Sequence, residues 1–209
     1  MERIDLFPTE IWVEELNHID NEELTKILLK KKQKESTVKS SLGYAASAGG
    51  SSWQSESDLH NIENTQLQNL LKSIGEVTDE IKRYSQFGKN IKTECKSMWA
   101  NVNNYKDYNR LHMHPHCDYS GTYYVKTPEN CGDIEFIDPR KEKRMLTKGD
   151  LWDSIDYLTS SSAESFIINP KEGKLILFPC FLEHGVEANQ THESRISISF
   201  NIVFKRHEI

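Results

Sequence analysis

A chain of 209 residues and 24.2 kDa buries roughly 70% of the surface its unfolded form exposes, enough for one sizeable core. With 28% charged, 36% hydrophobic and 10% aromatic residues, the composition excludes a disordered chain. A net charge of −6 and a pI near 5.8 argue against a surface that tracks nucleic-acid phosphates, and no stretch approaches the ~18 apolar residues of a membrane span.

The start, MERIDLFPTE, lacks the basic-then-apolar pattern of a secretory leader, so a cytoplasmic location is expected. Leu6-Phe7-Pro8 and Ile11-Trp12-Val13 predict a short extended segment at a sheet edge. Asp20 has the character of an N-cap. Glu22 and Glu23 in the first turn and Leu24, Ile27 and Leu28 at helical spacing predict a helix of about fourteen residues. Its basic end, Lys30-Lys31-Lys32 with Lys34, suits the negative pole of a helix. Residues 36–57, rich in Ser, Gly and Ala, have no sustained periodicity and predict a loop covering a site, with Tyr44 and Trp53 at its entrance or packed beneath it. From Thr65, the set Leu67, Leu70, Leu71, Ile74, Val77, Ile81 and Tyr84 recurs every three or four residues and predicts a helix packed on a sheet.

After Gly88 the texture becomes short, β-branched and aromatic, with strands predicted at 98–103, 122–125, 134–136, 166–168, 174–178 and 196–202. Helices followed by strands predict an α+β fold whose strands close on themselves. One domain is expected over 1–209, with a helical and loop part at 1–94 and the strand-rich core at 95–205. Cys95, Cys117, Cys131 and Cys180 form no C-x-x-C pair, so neither a zinc knuckle nor a disulfide scaffold is encoded, and reduced, mostly buried thiols are expected.

The segment HMHPHCDYSGTYYV offers four candidate metal ligands: His112, His114, His116 and Asp118. Side chains one residue apart on a strand face the same side, so both His112 with His114 and His116 with Asp118 have usable spacing. The second pair would complete the two-histidine, one-carboxylate triad usual for non-haem iron. Pro115 interrupts a strand ladder and favours the first pair, with 116–119 as a turn. Spacing by itself leaves both open. Three neutral imidazoles would leave Fe(II) its full double charge, and Asp118 could then be a further ligand or an acceptor for a histidine N–H.

His184 sits where the buried run 177–182 meets a turn, and it offers the third imidazole. In the run RISISFNIVF, Arg195, Ser197 and Ser199 share one face of a strand, and Ile196, Ile198 and Phe200 the other. A buried arginine needs an anionic partner. With His184 nearby, the carboxylate of a metal-bound ligand fits, gripped by forked charge-assisted hydrogen bonds; a structural Asp or Glu is the plainer partner.

The ordered set Trp-x-Asn, His-x-His-Pro, Ser-Gly-x-Tyr-Tyr-Val, Asp-Pro-Arg, Phe-Pro-x-x-x-x-His-Gly-Val and Arg-Ile-Ser-x-Ser-Phe-Asn resembles the prolyl-hydroxylase-like 2-oxoglutarate/Fe(II) oxygenases of marine bacteria and cyanobacterial phages. The likeness covers roughly 95–205, and Leu6-Phe7-Pro8 and Gly49-Gly50 to Trp53-Gln54 share it. It implies a double-stranded β-helix, jelly-roll and cupin-like, with N-terminal helices packed on one sheet. It implies Fe(II) at His112, His114 and His184, and the far carboxylate of 2-oxoglutarate at Arg195 and Ser197. The Tyr124 hydroxyl would assist that carboxylate, with Asn101 and Asn103 on the strand lining the pocket. The chain departs from the wider superfamily in carrying His-x-His in place of His-x-Asp or His-x-Glu. Asp138-Pro139-Arg140 matches a motif of the family and has a plainer reading as a turn with a surface ion pair.

The activity so implied is hydroxylation of a C–H bond in a peptidyl side chain, proline first, coupled to conversion of 2-oxoglutarate to succinate, with ascorbate as an accessory reductant. A peptide or protein is the expected partner, and a membrane or nucleic acid is not. A homodimer is compatible with the sequence, and the stretch 153–164 would serve as a lid or subunit contact. The competing reading is a non-catalytic, cupin-like module holding Zn(II) or Ni(II), or a virion-associated binding protein. Arg195 separates the two, because a structural metal needs no cation facing its open side.

Overall fold

The computed structural model describes residues 1–2, 4, 6–37, 47–48, 50–140 and 163–206. Its elements are β1 (Trp12–Glu15), α1 (Asn21–Lys34), β2 (Ser47–Ala48), β3 (Trp53–Gln54), α2 (Thr65–Tyr84), β4 (Ile91–Asn103), β5 (Tyr108–His112), β6 (Tyr119–Lys126), β7 (Ile134–Ile137), β8 (Ser165–Ile168), β9 (Lys174–Pro179), β10 (His184–Val186) and β11 (Arg195–Arg206). The helices begin where their caps direct. The Asp20 carboxylate accepts from the Glu23 N–H at 2.9 Å, and the Asn64 side chain accepts from the N–H groups of Gln66 and Leu67.

The strands form two antiparallel sheets. The larger has the order β1-β9-β6-β11-β4-β3 and the smaller β2-β5-β10-β7-β8, the arrangement of a jelly-roll double-stranded β-helix. Period-two alternation gives the larger sheet two distinct faces. On β4, Met98, Ala100 and Val102 are fully buried; together with Ile196, Ile198, Phe200 and Ile202 of β11 they meet Leu24 and Leu28 of α1 and Leu67, Leu70, Ile74 and Ile81 of α2. This is the main core. A second cluster, Tyr124, Ile134, Phe136, Ile176, Phe178 and Leu182, fills the space between the sheets. Gly121 of β6 has no room for a side chain, since a Cβ there would lie 2.3 Å from the Phe200 ring and 2.6 Å from the Ile176 carbonyl.

Several expectations change. The 36–57 stretch contributes two short strands: β2 pairs with β5 and β3 with β4. Of the two places open to Trp53, it takes the buried one. It is 3% exposed in the main core with its indole N–H on the Glu35 carbonyl, and alternation turns its neighbour Gln54 the other way. Tyr44 and residues 153–162 lie outside the described residues. The strand expected to carry both His112 and His114 is β5, but it ends at His112 and leaves His114 beyond it, and His184 opens the three-residue strand β10. All four cysteines are free, and only Cys131 is buried. No helix among the described residues is long and apolar enough to cross a membrane.

Candidate metal centre and ligand pocket

The smaller sheet brings distant histidines together. In its ladder His184 of β10 is the direct cross-strand partner of His112 at the end of β5. His114 lies two residues beyond that strand, with its backbone N–H held by the Cys180 carbonyl at 3.1 Å. One nitrogen from each of the three rings falls within 4.8 Å of the others, and the Nε2 atoms of His114 and His184 are 3.3 Å apart. The remaining nitrogens are engaged elsewhere: His112 Nδ1 meets the Arg110 carbonyl at 2.7 Å and His184 Nδ1 the Leu182 carbonyl at 2.9 Å. These contacts make Nδ1 the protonated position and leave Nε2 as a lone pair aimed at the shared point.

Electrostatics suit such a role. Burial, and then the neighbouring His112, pushes His184 down to about 3 and His114 down to about 4; burial also lowers His112. The rings are therefore neutral near pH 7, the state in which an imidazole binds a metal. Three nitrogen donors on one side of an ion leave positions open on the other, as the chemistry of a non-haem iron centre requires. Phe178 and Phe136 pack on His184 with ring centroids at 4.5 and 6.0 Å.

The alternative ligand pair does not join this cluster. His116 is exposed with φ at 62°, and its carbonyl accepts from Lys96 Nζ. The Asp118 carboxylate takes the Phe204 N–H at 2.7 Å, and both residues face a different depression lined by Glu94, Lys96 and Lys205. The turn after Pro115 reverses the direction of these side chains, and that separates them from the histidine site.

From the histidines a cavity of about 180 Å³ runs between the sheets to Arg195. It is small beside the roughly 300–1,000 Å³ of pockets for drug-sized ligands, a size suited to a short diacid. Arg195 is 2% exposed, and its Nη1 donates to the carbonyls of Cys131, Gly132 and Glu187. No carboxylate among the described residues forms an ion pair with it. Burial accordingly lowers its pKa. Gly132, at φ +89°, permits the close approach, because a Cβ there would sit 2.3 Å from the Glu187 carbonyl oxygen and 3.0 Å from Arg195 Nη1.

Tyr124 and Ser197, cross-strand partners on β6 and β11, line the cavity beside Arg195. The Tyr124 hydroxyl is buried without a hydrogen-bond partner, and burial raises its pKa. A buried, unpartnered hydroxyl beside a buried cation fits an anionic ligand well. Asn101 lines the same wall and donates to Ser199 Oγ at 3.0 Å. Asn103 does not line it: it pairs with Arg195 in the ladder, is 1% exposed, and has no hydrogen bond to either amide atom. Asp138 and Arg140 form the ion pair of a local turn, with two side-chain contacts of 2.8 and 2.9 Å.

Two residues that the sequence motifs contain without a role, Trp99 and Gln54, also shape the site. Trp99 stacks on His114, with centroids 5.9 Å apart, and Gln54 closes one end. The Trp-x-Asn spacing held a signal for Trp99, since period two places it on the Asn101 face.

A jelly roll with three converging imidazoles and an inward-facing guanidinium defines the class of metal- and oxoacid-dependent oxygenases. Residues 97–201, half of the chain, match the sequence profile of the family described as "Putative 2OG-Fe(II) oxygenase", and the chain belongs to that family, whose cofactors are Fe(II) and 2-oxoglutarate. No relative among curated proteins matches it in sequence. Among solved structures it is similar to a Pseudomonas putida prolyl-4-hydroxylase (TM-score 0.62, 10% identity, 98% of this chain and 96% of that one). It is similar also to a prolyl hydroxylase from Trichoplax adhaerens in complex with a hypoxia inducible factor peptide fragment (0.61, 12%, 92% and 83%). A third is HygX from Streptomyces hygroscopicus with nickel and 2-oxoglutarate bound (0.53, 10%, 93% and 83%). At these identities the likeness is one of fold.

Proposed function

We propose that His112, His114 and His184 hold Fe(II) through Nε2, that Arg195, Tyr124 and Ser197 hold the C5 carboxylate of 2-oxoglutarate, and that the protein hydroxylates a C–H bond of a peptidyl side chain, proline first. The observation that carries this reading is one small cavity with three neutral imidazoles at one end and, at the other, a buried guanidinium with no carboxylate partner among the described residues. Bound together, Fe(II) and 2-oxoglutarate supply the oxidising chemistry, in which dioxygen is consumed, 2-oxoglutarate leaves as succinate and CO2, and one oxygen atom enters the substrate.

The chain's own groups orient and protect. The forked guanidinium of Arg195 fixes the diacid's tail in direction as well as in place. The Tyr124 O–H gains in the ligand the acceptor that the protein withholds. Asn103, the cross-strand partner of Arg195 and buried with an unpartnered amide, would help to hold that anion site from the neighbouring strand. Phe136, Phe178 and Ile134 keep bulk water from one side of the metal position. Strands from both ends of the chain share the sheets that carry these residues, which supports one oxygenase domain over 1–209. The peptidyl substrate is supported by the prolyl hydroxylases that share the fold, one of them bound to a peptide.

The test is to incubate the protein anaerobically with Fe(II) and 2-oxoglutarate, admit oxygen, and measure succinate with and without proline-containing peptides. Turnover above the metal-free control, stimulated by peptide, is expected. Failure to bind 2-oxoglutarate, with no succinate formed, overturns the assignment.

A further inference from the structure

His112 and His184 are carried by paired strands, and their Nδ1 atoms rest on backbone carbonyls two residues back. His114 has neither support. It lies past the end of β5, and no carbonyl of its own segment fixes its ring. Its Nε2 faces His184, and the ring stacks on Trp99, which shares a face of the larger sheet with Asn201 of β11. Cys117 Sγ joins the His114 carbonyl, at 3.5 Å, to the Ser120 hydroxyl, at 3.6 Å, and that hydroxyl bonds Asn201 Oδ1, which sets the Asn201 amide beside the His114 ring.

Asn201 is itself clamped on both flanks. Its Nδ2 donates to Ser97 Oγ of β4 at 3.0 Å, and its Oδ1 accepts from the fully buried Ser120 hydroxyl of β6 at 2.8 Å. Both serines are its direct cross-strand partners. The β4–β11 register shifts between Asn201 and Ile202, and such irregularities re-aim side chains beside active sites. An amide held in this way presents a carbonyl oxygen with a spare lone pair to the imidazole.

We propose, on the reading that the three histidines bind the metal, that Asn201 is the positioning residue for His114: its Oδ1 accepts the Nδ1 proton, fixes the tautomer with Nε2 free, and replaces the strand support His114 lacks. The three ligands would then share one design, with a carbonyl oxygen behind each ring, two from backbone and one from a side chain.

The test uses full-length wild type, Asn201→Ala, Asn201→Asp and His184→Ala, with Co(II) as the probe. Affinity is read by chelator competition and coordination by the visible absorption of the Co(II) form. Loss of a partner behind a ligand typically costs about 10–100-fold in metal affinity, so Asn201→Ala should fall by that factor with a changed spectrum. Asn201→Asp, which keeps an acceptor, should recover most of it. Wild-type affinity in Asn201→Ala, alongside loss of binding in His184→Ala, overturns the role of Asn201 and leaves the ligand set standing. Undiminished binding in His184→Ala removes the ligand set and this inference with it. Nitrogen-15 NMR of zinc-loaded wild type gives an independent reading if Asn201→Ala does not fold: a proton on His114 Nδ1 supports the assignment, and zinc on Nδ1 refutes it.

Discussion

His112 and His184 are seventy-two residues apart in the chain and directly opposed in the β5–β10 ladder, with ring centroids 4.4 Å apart. Backbone pairing, the most rigid connection available to two strands, therefore sets the spacing of two candidate ligands. His114, beyond the end of β5, lacks a strand partner and is held by one backbone bond to the Cys180 carbonyl.

Replacing either paired histidine should remove the metal. For His184→Ala or His112→Ala we expect Co(II) or Fe(II) affinity to fall by more than the roughly 10–100-fold typical of an outer partner. His116→Ala and Asp118→Ala should keep full metal stoichiometry, although Asp118→Ala loses the acceptor of the Phe204 N–H and should lower the melting temperature. Metal analysis of the four purified variants decides the point; loss of metal from Asp118→Ala at intact fold would return the carboxylate to the ligand set.

Arg195→Leu should abolish tight 2-oxoglutarate binding while sparing the metal. Truncating one member of a buried charged pair costs about 2–5 kcal/mol, which is about 30-fold or more in affinity. Arg195→Lys keeps the charge and loses the fork, so it should rescue little. Calorimetric titration of the metal-loaded proteins measures both, and unchanged affinity in Arg195→Leu would falsify the anchor.

Tyr124→Phe should separate stability from binding. The hydroxyl is buried without a partner, a cost of about 1–3 kcal/mol. Removing it should stabilise the ligand-free protein by on the order of 1 kcal/mol and weaken 2-oxoglutarate by several-fold. Denaturant unfolding and ligand titration are the two readouts, and a destabilised Tyr124→Phe with unchanged affinity contradicts the role.

The metal-free protein should lose stability in acid. His184 at about 3 and His114 at about 4 titrate below an unfolded imidazole near 6.5. Between those values the unfolded chain binds protons that the folded chain refuses, so the contribution is full above pH 6.5 and declines as pH falls through 4 and 3. His184→Phe, which keeps a ring between Phe136 and Phe178, should flatten the profile. Urea unfolding at several pH values, with a slope identical in wild type and His184→Phe, would refute this.

The local elements were legible because their signals are local. The apolar repeat of α2, the Asp20 cap of α1 and the alternation of Arg195, Ser197 and Ser199 against Ile196, Ile198 and Phe200 each lie within one segment and match the structure. The three histidines and Arg195 were also readable as a set by resemblance to a family. The two places open to Trp53, entrance or core, were not separable in sequence, because an aromatic in a Gly- and Ser-rich stretch shows no period until β3 pairs with β4.

By itself the amino-acid order determined the class of fold, both helices and the list of residues able to bind a metal and an anion. Tertiary structure alone decided which pair from the HMHPHCD segment faces His184, that Asn103 is missing from the lining of the cavity, and that Ser97 and Ser120 flank Asn201. Those outcomes depend on register between strands distant in the chain, and a shift of one residue turns every side chain to the opposite face.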